Sequence, residues 1–152
     1  MPRYSIDTCS LGDLRRHYPR DVFPGVWGTV SELAHGGIVV ASEEVFRELE
    51  VFDDEVFAWA KGLRQMFLPT DAAVQAEVTK ILAAHQSLVD FKKKHAADPF
   101  VIAVAVIHGC TVVSQETPSG NPNRQMIPDV CKQRKLSCIK LLEMLRREGL
   151  RF

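Results

Sequence analysis

The alternation of short apolar strand segments with amphipathic helical stretches constrains this chain more than any other feature. Arg3-Tyr4-Ser5-Ile6 reads as a first strand ending at Asp7. The spacing of Phe23, Val26, Trp27, Val30, Leu33 and Ala34 predicts a helix from about Asp21 to His35, stopped by Gly36-Gly37. Ile38-Val39-Val40 is a second strand, with Ser42 as N-cap of a helix through Val45, Phe46 and Leu49. Two further helices follow, one opening at Asp53-Asp54 and running to Phe67, the other carrying Val74 to Val89. With the turn at Leu68–Asp71 between them, they read as a helical hairpin at about 53–91. A helix apolar almost all round runs from Asp98-Pro99 to Ile107, as an interior helix must, and ends at Gly109. Thr111-Val112-Val113 is the next strand, 116–125 a polar loop, Ile127–Arg134 a short helix, Ser137-Cys138-Ile139 a weak strand, and Leu141, Leu142 and Leu145 a final helix.

Strands interleaved with helices require crossover connections, so the expectation is an α/β fold with a largely parallel sheet. Strands that are apolar throughout, rather than alternating, fit a sheet covered on both faces. The length, 152 residues, suits a single domain over 1–152.

Lys plus Arg total 19 and Asp plus Glu total 19, so any affinity for nucleic acid must come from local patches. Such clusters are Arg15-Arg16, Lys92-Lys93-Lys94, and Lys132, Arg134 and Lys135, although solvated helix surface is the simpler reading of any one of them. Of the aromatic residues, Trp27 and Trp59 fit inward helix faces, whereas Tyr18, close to Arg15 and Arg16, is the stacking candidate. Arg124, in the loop after Glu116, is a further candidate phosphate clamp. Cys9, Cys110, Cys131 and Cys138 form no CxxC pair, and their expected state is buried free thiols in a reducing compartment. The first residues lack the apolar core of a signal peptide, and the longest apolar run, Phe100–Ile107, is too short to span a bilayer. The expected location is cytoplasmic, with no membrane partner.

In open parallel sheets, sites form beyond the carboxyl ends of the strands. Acids gather at such positions here. Asp7 follows the first strand, Glu44 and Glu48 lie in the helix entered from the second, and Glu116 lies just past the third. Asp98 heads the interior helix, at an edge of the sheet that sequence leaves open. Each has a plainer reading: a turn residue for Asp7, an N-cap for Asp98, solvated surface for Glu44, Glu48 and Glu116. Together they form a hard oxygen set suited to Mg²⁺ or Mn²⁺. Without a cation, gathered carboxylates repel and raise one another's pKa.

These residues resemble the PIN-domain nucleases. Tyr4-Ser5-Ile6-Asp7-Thr8-Cys9-Ser10-Leu11 looks like that family's opening strand and first acid. Phe46-Arg47-Glu48-Leu49 resembles the second acid motif, and Ala97-Asp98-Pro99-Phe100-Val101-Ile102-Ala103 the third. Thr111-Val112-Val113-Ser114-Gln115-Glu116 is similar to the last. The four stand in the family's order across nearly the whole chain. The segments Ile127–Cys131 and Gly149–Phe152 resemble those of a compact branch of the family.

The resemblance implies a three-layer α/β/α sandwich and Mg²⁺- or Mn²⁺-dependent hydrolysis of RNA phosphodiesters by an endoribonuclease, leaving a 5′-phosphate and a 3′-hydroxyl. It implies that Asp7, Glu48, Asp98 and Glu116 are the catalytic and metal-holding acids, supported through hydrogen bonds by Thr8 and Ser114. Glu44 remains an alternative to Glu48, and Asp129 is either a further site residue or a helix N-cap. Many PIN proteins are toxins, which implies an antitoxin or a second copy of the chain as partner besides RNA. Departures stand at Glu116, where Asp is commoner, at Ser114, where Thr is frequent, and at Cys9, where Ser or Asn is frequent. They motivate the alternative of a catalytically weak PIN-fold module that binds RNA or protein in a regulatory role. A haloacid-dehalogenase phosphatase would need an acid at position 9, which is Cys9. A receiver domain would need an acidic pair near the first strand and a late Lys after a strand, and neither is evident.

Overall fold

The protein was analysed as a computed structural model describing residues 1–88 and 96–151. Five strands form one sheet: β1 (Tyr4–Ile6), β2 (Val39–Ser42), β3 (Phe67–Leu68), β4 (Thr111–Val113) and β5 (Cys138–Ile139). Their order is β3-β2-β1-β4-β5 and every pairing is parallel. Tyr4 registers with Val39 on one side and Thr111 on the other, and Ile6 with Val113. Among the described residues, eight α-helices flank this sheet: α1 (Thr8–His17), α2 (Pro24–His35), α3 (Glu43–Phe52), α4 (Glu55–Ala60), α5 (Ala72–Ala84), α6 (Asp98–His108), α7 (Ile127–Gln133) and α8 (Leu141–Arg147). The architecture is a three-layer α/β/α sandwich.

Each connection between sequential strands passes through helix, as parallel pairing requires. The uniformly buried β1 and β2 carry Ile6, Val39, Val40 and Ala41 into the core, which explains their unbroken apolar runs. The interior helix α6 lies across β1, β2 and β4, with α5 and α7 packed on it. Burial of Val101, Ile102, Ala103, Val104 and Ala105 accounts for its apolarity on every side. Gly109 at φ +68° closes α6 in the left-handed region, where a β-carbon would be strained. The Ser5 hydroxyl donates to the Val101 carbonyl at 2.8 Å, tying β1 to α6. Trp27 and Trp59 meet edge to face inside the core, 5.6 Å between ring centroids.

Several expectations need correction. Helix α1 was not anticipated: only Leu11 and Leu14 give it an apolar stripe, and Asp7 starts it by accepting the Ser10 N–H at 2.8 Å. Helix α2 begins at Pro24 rather than Asp21, because residues 19–23 form a turn closed by Phe23 N–H donating to the Pro19 carbonyl. The helical hairpin expected at about 53–91 is interrupted. Helix α4 gives way to a 3₁₀ segment at Lys61–Met66, non-helical at Leu63, and Phe67–Leu68 pairs with β2 as an edge strand. Helix α5 packs chiefly on α6. Residues 89–91 of that hairpin lie outside the described residues, as do Lys92, Lys93, Lys94 and Phe152. Of the four free thiols, Cys110 and Cys131 are buried, while Cys9 is exposed and Cys138 half-buried.

Candidate metal centre

The chain winds outward from β1 through β2 to β3, then returns to place β4 on the other side of β1. The strand order therefore reverses between β1 and β4, where a crevice opens beyond their carboxyl ends. Asp7 leaves β1 at that point, and Ser114 to Glu116 leave β4 beside it. The Asp7 N–H donates to the Val113 carbonyl at 3.0 Å, so the two exits are bonded together. Helix α6 turns into β4 through Gly109 and runs back antiparallel to it, which brings its first residue, Asp98, to the same end of the sheet. Sequence alone could not assign that edge.

Asp98 does not cap its helix. The cap residue is Ala97, without a side-chain hydrogen bond, and Asp98 is the first helical residue, its carboxyl left for other work. Burial, then the charges of Glu116, Asp7 and Glu48, raise its pKa to about 9, assisted by a hydrogen bond with Glu116. Asp7 is 2% exposed. Its Oδ1 is taken by the Ser10 N–H, and its Oδ2 is buried without a hydrogen-bond partner. Burial raises the pKa of Asp7 to about 6. A buried carboxylate oxygen without a donor is costly and implies a ligand or a proton.

Glu48 arrives from α3. The buried Thr8 hydroxyl donates to its Oε1 at 2.6 Å, joining α1 to α3 at the site. Glu44, one turn earlier, forms an ion pair with Arg47 on the exposed side of α3. Of the two, Glu48 is the acid whose charge reaches Asp98, whereas Glu44 is paired with Arg47. Glu116 is held at two points: its N–H donates to the Ser114 hydroxyl at 3.1 Å and its Oε2 accepts the Ile127 N–H at 3.1 Å. Ser114 is buried, as a supporting residue should be. Cys9 looks onto the same charges. Burial first, then Asp7, Glu116 and Asp98, push its thiol up to about 12.

Other candidates fall elsewhere. Asp129 is the third residue of α7, and its carboxylate is consumed by local N–H groups. It accepts from Met126 at 2.8 Å, Ser119 at 3.0 Å and Gly120 at 3.1 Å, which together hold its pKa below the usual carboxylate value against a small opposing effect of burial. It caps the start of α7 from the N3 position of a capping box, Met126 being the N-cap residue itself, and it braces the loop. Arg124 is exposed on that braced loop, its carbonyl accepting from the Ser119 hydroxyl. Tyr18 terminates α1, packs edge to face on Phe23 and accepts the Trp27 indole N–H at its carbonyl, and it is half-buried. Arg134 is paired with the buried Glu77 between α7 and α5.

Arg15 and Arg16 do sit near the acids. They line a cleft of about 190 Å³ with Thr8, Cys9, Leu49 and Phe52. Asp13, which sequence reasoning passed over, orients this region: it is buried, its Oδ1 takes the Arg16 guanidinium and its Oδ2 the Gln115 amide at 2.7 Å. Gln115 in turn accepts the Leu141 N–H at 2.7 Å, linking the exit of β4 to α1 and α8. Phe52 also went unnoticed; an exposed aromatic at the end of an amphipathic helix carries no distinctive sequence signal.

The four acids supply only oxygen donors, and they include one orphaned buried oxygen and one carboxyl whose pKa is raised by burial and then by its acidic neighbours. That chemistry fits a hard divalent cation. Among the described residues, no three acidic, His or Cys side chains are gathered closely enough to form a finished cation cage.

The family described as Domain of unknown function (DUF4411) matches residues 4–152. The chain belongs to the DUF4411 family. No curated protein matches this DUF4411 chain. No helix among its described residues is long and apolar enough to cross a membrane.

Proposed function

We propose that this DUF4411 protein is a PIN-like endoribonuclease dependent on Mg²⁺ or Mn²⁺. One observation carries the reading: Asp7, buried with one carboxylate oxygen unpartnered where β1 and β4 part, has Glu48, Asp98 and Glu116 gathered about the same end of the sheet. Electrostatic congestion of this kind is a recurrent mark of functional sites. A divalent ion, when bound, supplies Lewis acidity toward a phosphoryl oxygen and toward water. Asp7, Glu48 and Asp98 would hold it, with Glu116 as the fourth acid.

The protein's own groups set the conditions. Burial and the neighbouring acids favour the protonated form of Asp98, which would have to ionise in order to hold a cation. Thr8 fixes the rotamer of Glu48 through its 2.6 Å hydrogen bond. The bond from Ile127 restrains Glu116, so its longer arm stays at the crevice. Arg15 and Arg16 offer positive charge beside the acids, which supports a polyanionic substrate. Free thiols at all four cysteines suit a reducing compartment, which supports a cytoplasmic location.

Incubation of purified protein with single-stranded RNA and Mn²⁺ tests the reading. Cleavage is expected to leave 5′-phosphate ends and to be lost in Asp7→Asn; a variant that cuts at the wild-type rate would refute it. A toxin role, with an antitoxin as partner, predicts growth arrest on expression that Asp98→Asn relieves. The departures at Cys9, Ser114 and Glu116 motivate a second reading, a module that binds RNA or protein without cutting. RNA binding with no cleavage at any Mn²⁺ concentration would select it.

A further inference from the structure

The turn that ends α7 brings two thiols together. The helix closes in a Schellman pattern: the Leu136 N–H donates to the Cys131 carbonyl at 2.8 Å and the Lys135 N–H to the Lys132 carbonyl at 3.3 Å. Lys135 takes the left-handed conformation that such a turn requires, at φ +58°. The chain therefore doubles back, and β5 packs against the helix it has just left. The strand is fixed in turn by the pairing of Cys138 with Val112 and by the Ser114 N–H, which donates to the Ile139 carbonyl at 2.9 Å. Cys131 on α7 and Cys138 on β5 are thereby brought face to face, and a hydrogen bond joins their thiols. Their access to solvent differs: Cys131 is fully buried, whereas Cys138 is only half-buried.

We propose that Cys131 and Cys138 are a redox-active dithiol that a hydroperoxide oxidises to an intramolecular disulfide, with Cys138 as the attacking thiol and Cys131 as the resolving one. The Cys138 thiolate attacks one oxygen of hydrogen peroxide; the O–O bond breaks, and hydroxide leaves and takes up the proton shed by Cys138 as water. The sulfenic acid so formed stands against Cys131. The Cys131 sulfur then makes the S–S bond, the S–O bond breaks, and the hydroxyl leaves with the Cys131 proton as a second water. The two thiols give up two electrons and the peroxide accepts both. The hydrogen bond between the thiols suits these roles. It holds Cys138 below the usual thiol pKa, against the opposing effects of burial and of Asp7 and Glu116, and it pushes Cys131 up. The thiolate is the nucleophile, so Cys138 reacts first. Cys9 lacks this advantage, its thiol being pushed up to about 12, chiefly by burial. A disulfide that forms on oxidation and is reduced again is the usual kind in a reducing compartment. The helix it would pin is the one whose Ile127 N–H holds Glu116.

The test exposes the full chain, in EDTA, to a small molar excess of hydrogen peroxide, blocks the remaining thiols with N-ethylmaleimide under denaturing conditions, and maps tryptic peptides by mass spectrometry. Trypsin cuts after Lys132 and Lys135, so the disulfide is expected as residues 125–132 joined to residues 136–140, lighter by two hydrogen atoms than the separate peptides. Cys9 and Cys110 are expected to carry the maleimide, and dithiothreitol to restore alkylation at all four cysteines. In Cys138→Ser, Cys131 is expected to stay reduced. In Cys131→Ala, Cys138 is expected to stop at the sulfenic acid, which dimedone traps. The wild-type map needs neither variant, so it decides the matter even where a variant fails to fold. Four alkylated cysteines in the treated wild type, disulfides only between chains, or oxidation of Cys9 ahead of Cys138 overturns the inference. These readouts involve neither RNA nor a metal, so their outcome is independent of the nuclease reading.

Discussion

Asp98 concentrates the chemistry of this chain at one residue. Its carboxyl has an ordinary pKa of 3.8 and stands at about 9 in the folded protein. Between those values the folded state binds more protons than the unfolded state, so stability falls as pH rises; the penalty is absent below about 4 and complete above about 9. Asp7, raised to about 6, adds the same sign over a narrower window. In EDTA the protein is therefore expected to melt at a higher temperature at pH 5.5 than at pH 8.5, as followed by circular dichroism. Asp98→Asn removes the charge and is expected to raise the melting temperature at pH 8.5 by several degrees, at roughly 2–4 °C per kcal/mol. The two glutamates of α3 separate in the same way: Glu48→Gln is expected to abolish Mn²⁺-dependent cleavage, whereas Glu44→Gln, at an exposed ion pair, leaves it within about twofold. Thr8→Val removes the hydroxyl that orients Glu48 and is expected to lower activity by roughly 10- to 100-fold in initial-rate assays. Asp7 and Glu116 were legible in sequence because a strand end in a parallel sheet dictates where the next side chain lies. Asp98 was legible as an acid but not as to edge, since only the turn at Gly109 settles which way α6 runs. The packing of Tyr18 against Phe23 was not legible, because a tertiary contact has no local signature.

At the scale of elements, positions whose cause lies within a few residues formed as expected, and so did the weak strand at Cys138–Ile139, but α1 and β3 gave no such signal. The Ser42 cap, the apolar α6 and the glycine stop at Gly109 all carry their cause within a few residues. Helix α1 lacks an extended apolar stripe and owes its start to the same Asp7 that serves the site. The two-residue β3 sits inside a helical periodicity and is defined only by its pairing with β2. The loop after Glu116 shows how a carboxylate can look functional and be structural. Asp129 holds it by bonds to three backbone N–H groups, and the Ser119 hydroxyl adds a fourth contact at 3.1 Å. Asp129→Ala is expected to cost about 1–2 kcal/mol in urea unfolding, the magnitude of a lost helix cap. It is also expected to speed proteolytic nicking within 117–126, while the affinity for Mn²⁺ stays unchanged. Loss of Mn²⁺ binding in that variant would return Asp129 to the site.

The whole molecule is organised around one reversal of strand order. Because β4 returns to the far side of β1, residues more than a hundred positions apart, Asp7 and Glu116, leave the sheet side by side. The parallel sheet was legible from the alternation of strands and helices; the strand order was not, because nothing local says which neighbour a returning strand will choose. On this account the fold gathers mutually repelling acids that a divalent cation neutralises. Titration of the metal-free protein with Mn²⁺ by calorimetry at pH 7.5, in two buffers of different ionisation enthalpy, tests that claim most directly. The account predicts saturable binding accompanied by proton release from Asp98, with both lost in Asp98→Asn. No heat up to millimolar Mn²⁺, or binding that is identical in Asp98→Asn and releases no proton, would contradict it.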